Sequence, residues 1–319
     1  MRFSVIIPLY NKASYVAKAI GSVIFQTYTD YELVIMDDGS SDNSFEIASK
    51  AIEGKENCHI YRQQNAGVSI ARNNAVSKSK GDYLCFLDAD DWWDHSFLEE
   101  MDGLINRFPD AGIYGTNYTI VNETKRKTRV APIGVDPGFK EGYINYCQVY
   151  AKTLAMPLWT GAVCIPRPIF VEMQGFPEGI KLGEDFLLWI RIALKSPTVF
   201  INKPLAFYFQ DADSKWRAVS HLQEPQTHML WNLHFLEGEE ERNLDYKQLV
   251  DNLRTVGLFS YYLSKKYREI TKIELAKVDW TRQTKKIKDL YRMPILFLKI
   301  RQSFLKLGSL VKRLFFKYI

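Results

Sequence analysis

The chain has 319 residues, 46% of them hydrophobic and 25% charged, which is ordinary for a soluble protein with a sizeable core and leaves room for one large domain or a main domain with an appendage. Cys58, Cys85, Cys147 and Cys164 show no CxxC or paired spacing, so a disulfide framework or a zinc site is not expected and a reducing compartment fits best. The net charge of +5 is unevenly spread: residues 281–319 carry eleven Lys or Arg against Asp289 alone, a balance of +10 that leaves −5 on the first 280 residues.

The apolar start of the chain is interrupted by Pro8 and Asn11, too early for a secretory segment, so it reads as a strand. No stretch reaches the roughly 18 uncharged apolar residues of a spanning helix. Residues 5–9 are that first strand, and 15–26 follow with Val16, Ile20, Val23 and Ile24 at helical spacing. A strand over 32–36, a polar turn over 37–43 and a helix over 44–52 come next. A short strand over 59–61 leads through 63–67 into a helix over 68–77. The strand over 83–87 runs into Asp88-Ala89-Asp90-Asp91, and a helix over 96–108 follows.

Four strand–helix units in series indicate an α/β fold, a Rossmann-like and mostly parallel sheet with helices on both faces. Ligands of such sheets gather beyond the carboxyl ends of the strands, so the polar turns at 10–14, 37–43 and 88–94 are expected to share one edge. Beyond residue 110 the pattern is less regular. Strands are expected over 113–120, 162–165, 198–201 and 205–209. A helix over 184–194 is entered through Lys181-Leu182-Gly183-Glu184-Asp185, and 225–280 is helical without a chemical motif.

Three carboxylates within four residues at a strand end repel one another, and burying one without a partner is costly. A divalent cation relieves that repulsion, and Mg²⁺ is commonly held by one or two carboxylates plus substrate phosphates. A calcium EF-hand starting at Asp88 would need Gly where Trp93 stands, and an aspartyl nucleophile is expected after the first strand rather than the fourth. A helix cap or solvated loop is the plainest alternative. Asp37-Asp38-Gly39-Ser40-Ser41-Asp42 is a weak signal alone, since these residues fill ordinary turns and caps. Its place beside the other turns favours a carboxylate that accepts a base N–H. Pro8-Leu9-Tyr10-Asn11 lacks the glycines of a dinucleotide fingerprint, which disfavours a dehydrogenase; Tyr10 is placed to stack on a nucleobase or simply to pack.

Taken together, Val5-Ile6-Ile7-Pro8-Leu9-Tyr10-Asn11, Val34-Ile35-Met36-Asp37-Asp38-Gly39-Ser40-Ser41-Asp42, Asn65-Ala66-Gly67-Val68-Ser69-Ile70-Ala71-Arg72-Asn73 and Phe86-Leu87-Asp88-Ala89-Asp90-Asp91 resemble the family 2 glycosyltransferases of the GT-A fold. The likeness runs over roughly residues 1–120, weakens to 220 and is absent after about 225. It implies a catalytic domain over 1–222; the helical pattern that follows reads as an extension over 223–280, and the charge and spacing of 281–319 as a basic amphipathic tail. By the resemblance, Pro8, Tyr10 and Asp38 hold the base of a nucleotide-sugar donor, usually UDP, and Asn65, Gly67 and Arg72 line its nucleotide and diphosphate side. Asp88-Ala89-Asp90 match the DxD element, with Asp88 towards the ribose and Asp90 on a Mn²⁺ or Mg²⁺ that bridges the diphosphate. Glu184-Asp185 look like the ED pair, in which Asp185 is the general base. As a local sequence that pair is weak, because acids are common in first helical turns.

Sugar transfer needs a cation to offset charge on the leaving diphosphate and one base to take the acceptor hydroxyl's proton. A single base opposite the leaving group implies inversion. His221 is a candidate further metal ligand, or an ordinary surface histidine. In the tail, Phe297, Ile300, Phe304, Leu307, Val311, Leu314 and Tyr318 repeat at steps of three and four, with Lys299, Arg301, Lys306, Lys312, Arg313 and Lys317 mostly around them. Such a helix suits an anionic membrane surface; packing on the globule or on a second subunit as a homodimer is the alternative, and no motif points to nucleic acid. The resulting expectation is a cytoplasmic enzyme bound peripherally at the inner face of the membrane. It would move a sugar from a nucleotide-sugar donor to a hydroxyl of a glycan or lipid-linked acceptor. Two rivals stand beside it: a nucleotidyl or phosphoryl transferase with the same metal site, and a catalytically silent sugar-nucleotide-binding protein.

Overall fold

The structure, a computed structural model, describes residues 1–211, 222–233, 236 and 238–298. His221 and the tail beyond Leu298 lie outside the described residues. The chain forms two compact units, one of Met1–Tyr146 with Ala155–Met229, the other of Cys147–Leu154 with the chain from Leu230 onward.

In the first unit β1 (Phe3–Leu9), α1 (Val16–Ile24), β2 (Tyr31–Asp37), α2 (Ser44–Ala51), β3 (Cys58–Arg62), α3 (Val68–Ser77) and β4 (Tyr83–Phe86) alternate as the hydrophobic pattern requires. Every residue of β1 and β2 is buried, the near-continuous apolar run of a parallel sheet covered on both faces. Truncating one such Ile or Leu to Ala costs about 2–5 kcal/mol, so these two strands anchor the unit. Strands β1, β2, β3 and β4 pair in parallel, and α3 packs on β1 and β2. The register sets Leu9 opposite Asp37 and Phe86 opposite Ile6. The three chains therefore leave the sheet on one edge.

Next come β5 (Trp92–Trp93), α4 (Phe97–Arg107), β6 (Ile113–Asn122), β7 (Lys127–Val130) and β8 (Glu141–Ile144); after α5 (Tyr146–Thr153) follow β9 (Val163–Pro166), α6 (Arg167–Glu172), α7 (Glu184–Ala193) and β10 (Thr198–Phe209). Among the described residues ten strands form one sheet, with the path β3-β2-β1-β4-β9-β6-β10-β5 and with β7 and β8 paired to β6 and β10. Strand β9 enters antiparallel between β4 and β6, whereas β6 and β10 are parallel. The sheet is thus parallel through its first four strands and mixed beyond them.

Two local expectations change. The strands expected over 198–201 and 205–209 are one strand, β10, whose register slips around Pro204. Proline has no N–H for the ladder, so it sits at an irregularity of this kind. Within the polar turn expected over 88–94, Trp92–Trp93 form β5 and pair with Phe207 and Ala206. Trp93 stacks on Phe97 at 4.0 Å and donates its indole N–H to the Gly161 carbonyl at 2.6 Å, which fixes the segment after the acidic cluster.

The second unit is helical: α5, α8 (Glu239–Arg242), α9 (Leu244–Gly257), α10 (Phe259–Leu263), α11 (Arg268–Ala276) and α12 (Lys285–Arg292). Asn243 caps α9 by accepting from the amides of Asp245 and Tyr246. Arg254, 2% exposed, forks onto both oxygens of Glu240 at 2.7 and 2.8 Å. Part of the expected tail belongs to this unit. The Tyr291 hydroxyl of α12 donates to the Thr255 carbonyl at 2.7 Å, and its ring meets Phe259, Tyr262 and Trp280. No helix among the described residues is long and apolar enough to cross a membrane.

Candidate active site

The edge where β1, β2 and β4 end opens into a cavity of about 850 Å³. Pro8 and Tyr10 line it from the end of β1, and the loop that follows is tied to its neighbour. Asn11 takes φ 51°, a left-handed conformation that asparagine tolerates; its amide donates to the Ser40 hydroxyl, and its side-chain oxygen accepts from the Ser41 amide at 2.9 Å. Asp38, just beyond β2, lines the cavity with little of itself exposed. One carboxylate oxygen accepts from the Ala66 amide and the Gln63 side chain at 2.8 Å each, and the other from the Gly67 amide at 2.9 Å. Asn65 closes the same loop by donating to the Asp38 carbonyl at 3.0 Å. Asp38 therefore clamps the Asn65–Gly67 turn, and among the described residues its second oxygen accepts one hydrogen bond, from Gly67. Gly67, at φ 94°, makes that turn without the strain a side chain would bring.

Arg72 projects from α3 with 3% of its side chain exposed. It donates to Asp88 at 2.7 Å and to Glu184 at 3.0 Å, and its guanidinium lies 4.9 Å from the centre of the Phe176 ring. Burial works against its charge, but Asp88 and Glu184 more than offset that and hold the group protonated. The three carboxylates of the acidic cluster have separate fates. Asp88 faces Arg72, and Asp90 pairs with Lys12 at 2.6 Å. Asp91 turns into the protein, 3% exposed, and accepts from the Phe209 amide at 2.8 Å and the Trp159 indole at 3.1 Å. Burial, with the charges of Asp90 and Asp88, pushes its carboxyl well above the ordinary aspartate range.

Glu184 and Asp185 open α7 and face the same cavity. Gly183 before them is required twice: its φ is 84°, and a Cβ there would stand 2.2 Å from the Met229 sulfur. Burial and the neighbouring Asp185 push Glu184 up to about 7 against the pull of Arg72. Asp185 is also raised by burial, while the Thr160 hydroxyl, donating to it at 2.9 Å, favours its charged form. Pro8, Tyr10, Asp38, Asn65, Gly67, Arg72, Asp88, Ala89, Asp90, Glu184 and Asp185 thus border one cavity; His221 lies outside the described residues. Chemically the cavity brings Lys12 and Arg72 together with the carboxylates of Asp38, Asp88, Asp90, Glu184 and Asp185 at an open strand edge, a setting for an anionic ligand and a proton acceptor.

A family model described as glycosyl transferase family 2 matches residues 4–157. Glycosyltransferase GlyG of Streptococcus pneumoniae is 30% identical over 223 residues, 67% of this chain and 72% of that protein. The chain belongs to glycosyltransferase family 2. Other relatives are longer: an uncharacterized glycosyltransferase of Rickettsia felis is 31% identical over 212 residues, which cover 64% of this chain and 32% of that one. The chain spans about a third of the length of the first curated relatives it matches. Among solved structures, S. aureus TarS 1–349 in complex with UDP-GlcNAc superposes with a TM-score of 0.68 at 19% identity, over 86% of this chain and 78% of that one. That likeness establishes the GT-A fold.

Within this family 2 glycosyltransferase, four contacts of the cavity were not legible from the sequence. Lys12 sits on Asp90, Thr160 on Asp185, Trp159 on Asp91, and Asp38 on the backbone of its own neighbouring loop. A lysine directly after Tyr10-Asn11, at the edge expected to collect carboxylates, is a usable signal for the first. The residues around Trp159 and Thr160 carry none.

Proposed function

We propose that this glycosyltransferase moves a sugar, with inversion, from a UDP-sugar to a hydroxyl of a glycan or lipid-linked acceptor in cell-surface polysaccharide synthesis. The observation that carries the reading is the convergence of Asp88, Asp90, Arg72 and Asp185 on one cavity at the strand edge. TarS, of the same fold, has been crystallised with UDP-GlcNAc, which supports a uridine donor. Tyr10 and Pro8 offer a face to the base, and the Asp38 carboxylate accepts a base N–H. Asn65, Gly67 and Arg72 line the side of the ribose and diphosphate.

The donor set suits Mn²⁺ or Mg²⁺. Asp90 supplies a hard oxygen ligand, with Asp88 beside it on the ribose side, and no group of three or more metal-binding side chains forms a cage among the described residues. One or two carboxylates completed by substrate phosphates are an ordinary magnesium arrangement. When bound, the ion offsets negative charge on the departing diphosphate. Arg72 keeps Asp88 oriented and Glu184 ionised. Asp185, with Thr160 fixing one of its oxygens, takes the proton of the attacking hydroxyl. Among the described residues the other carboxylates of the cavity are engaged, Asp38 by its neighbouring loop, Asp90 by Lys12, and Asp88 and Glu184 by Arg72, which favours a single displacement over a covalent intermediate.

Attachment to an anionic membrane surface belongs to the same proposal. Lys285, Lys286 and Arg292 are exposed on α12, and Leu296 and Phe297 just beyond it are 69% and 66% exposed. Cations beside unburied apolar side chains suit a bilayer interface. The donor reading is tested by thermal unfolding with UDP, UDP-glucose, UDP-N-acetylglucosamine and GDP-mannose, each with and without Mn²⁺. Uridine nucleotides at about 100 times their Kd stabilise by about 2.7 kcal/mol, a rise of several degrees that should require Mn²⁺. A melting point unmoved by every nucleotide would defeat the donor reading.

A further inference from the structure

We propose that Lys12 is the resident counter-ion of Asp90, displaced when a divalent cation binds that carboxylate, and that the freed ammonium then holds the diphosphate of the nucleotide. The diphosphate half rests on the donor reading above; the displacement half does not.

Asp88 and Asp90 each have a cation, but the two cations are built differently. Arg72 is locked, with 3% of its side chain exposed, two carboxylates on its fork and an aromatic ring beneath it. Among the described residues Lys12 makes its carboxylate contact to Asp90 alone, at 2.6 Å; it borders the open cavity and keeps 18% of its side chain exposed. An ammonium on a four-carbon stem is a compact point charge that can swing, whereas a forked guanidinium cannot leave one partner without disturbing the other.

The backbone beneath Lys12 is pinned. Its amide donates to the Ser44 hydroxyl at 2.7 Å, and the Asn11 amide to the Ser40 hydroxyl at 3.0 Å. Any movement is therefore a change of side-chain rotamer, not of the loop. A divalent cation on Asp90 cannot share the oxygen that Lys12 occupies, because the two positive charges would then stand within a few ångströms of each other. Asp90 lies two residues from Asp88 in a cavity that both border, so a cation beside it offsets the repulsion between the two carboxylates. Lys12 fills that role until a metal arrives. The ammonium it releases remains in a cavity bordered by Arg72, where a diphosphate would supply the negative charge it lost.

The test uses the full chain with Lys12→Met, Lys12→Gln and Lys12→Arg, checked for folding by circular dichroism. Mn²⁺ alone is titrated first and followed by electron paramagnetic resonance of the free ion; UDP is then titrated calorimetrically at saturating Mn²⁺. The neutral variants should bind Mn²⁺ about tenfold more tightly without nucleotide and UDP about tenfold more weakly, each about 1.4 kcal/mol. Lys12→Arg should bring both values back towards wild type. Mn²⁺ affinity that is unchanged or weaker in both neutral variants overturns the displacement, and unchanged UDP affinity overturns the diphosphate contact. A wild-type chain that binds Mn²⁺ but no UDP would refute the donor reading and the diphosphate contact together, and the Mn²⁺ titration would still decide the displacement.

Discussion

Arg72→Met keeps an unbranched apolar stem but deletes the cation that Asp88 and Glu184 share at 2.7 and 3.0 Å. Removing one partner of a buried ion pair costs about 3–5 kcal/mol, because the charge left behind stays desolvated. Asp88 keeps 26% of its side chain exposed and can recover some hydration, whereas Glu184 keeps 14%, so the lower end, about 3 kcal/mol, is expected. At about 2–4 °C per kcal/mol that lowers the melting point by about 6–12 °C near pH 8. The loss should depend on pH. Glu184 already titrates at about 7 with Arg72 present, and without that cation its carboxyl moves higher still. A carboxyl raised in the folded state is neutral at low pH, where it needs no counter-charge, and its ionisation cost appears as pH rises through its folded pKa. The variant's deficit should therefore shrink on going from pH 8 to pH 5.5, measured by circular dichroism melts of both proteins in matched salt. A deficit below about 1 kcal/mol, or one equal at the two pH values, would refute the assignment of Arg72 as the charge that holds Glu184 ionised.

Two further outcomes follow from the same contacts. Thr160→Val removes the hydroxyl that favours the Asp185 carboxylate, so the acid limb of the pH–rate profile for UDP release should move alkaline; an unmoved limb contradicts the role. Truncation after Leu298 keeps α12 packed and removes six Lys or Arg, each worth about 1 kcal/mol at an anionic bilayer. The full chain should sediment with anionic vesicles at low salt and the truncated chain should not; equal sedimentation, or none by the full chain, contradicts the membrane proposal.

The first hundred residues were legible because apolar strands and amphipathic helices alternate there with clear periods, and each polar turn falls where a strand ends. Strand β9 was seen as a strand, but its antiparallel insertion between β4 and β6 was not, because pairing is a tertiary choice that local pattern does not encode. Pro204 made one strand look like two, and β5 is two residues long, below what alternation can reveal. Within the acidic cluster, spacing alone gave three equivalent carboxylates. Burial separates them: Asp91 becomes an acceptor for a backbone amide and an indole, while Asp88 and Asp90 stay at the cavity. The partners that decide this come from far along the chain, with Lys12 and Trp159 78 and 68 residues from the aspartates they meet.

The account stands most directly on Asp185. Asp185→Asn is nearly isosteric and can still accept from Thr160, so UDP affinity at saturating Mn²⁺ should match wild type by calorimetry. UDP release from the UDP-sugar that stabilises the protein most should fall about 10²–10⁴-fold, the usual worth of a general base. A variant that keeps half the wild-type rate, or loses UDP binding along with turnover, would contradict Asp185 as the group that takes the proton.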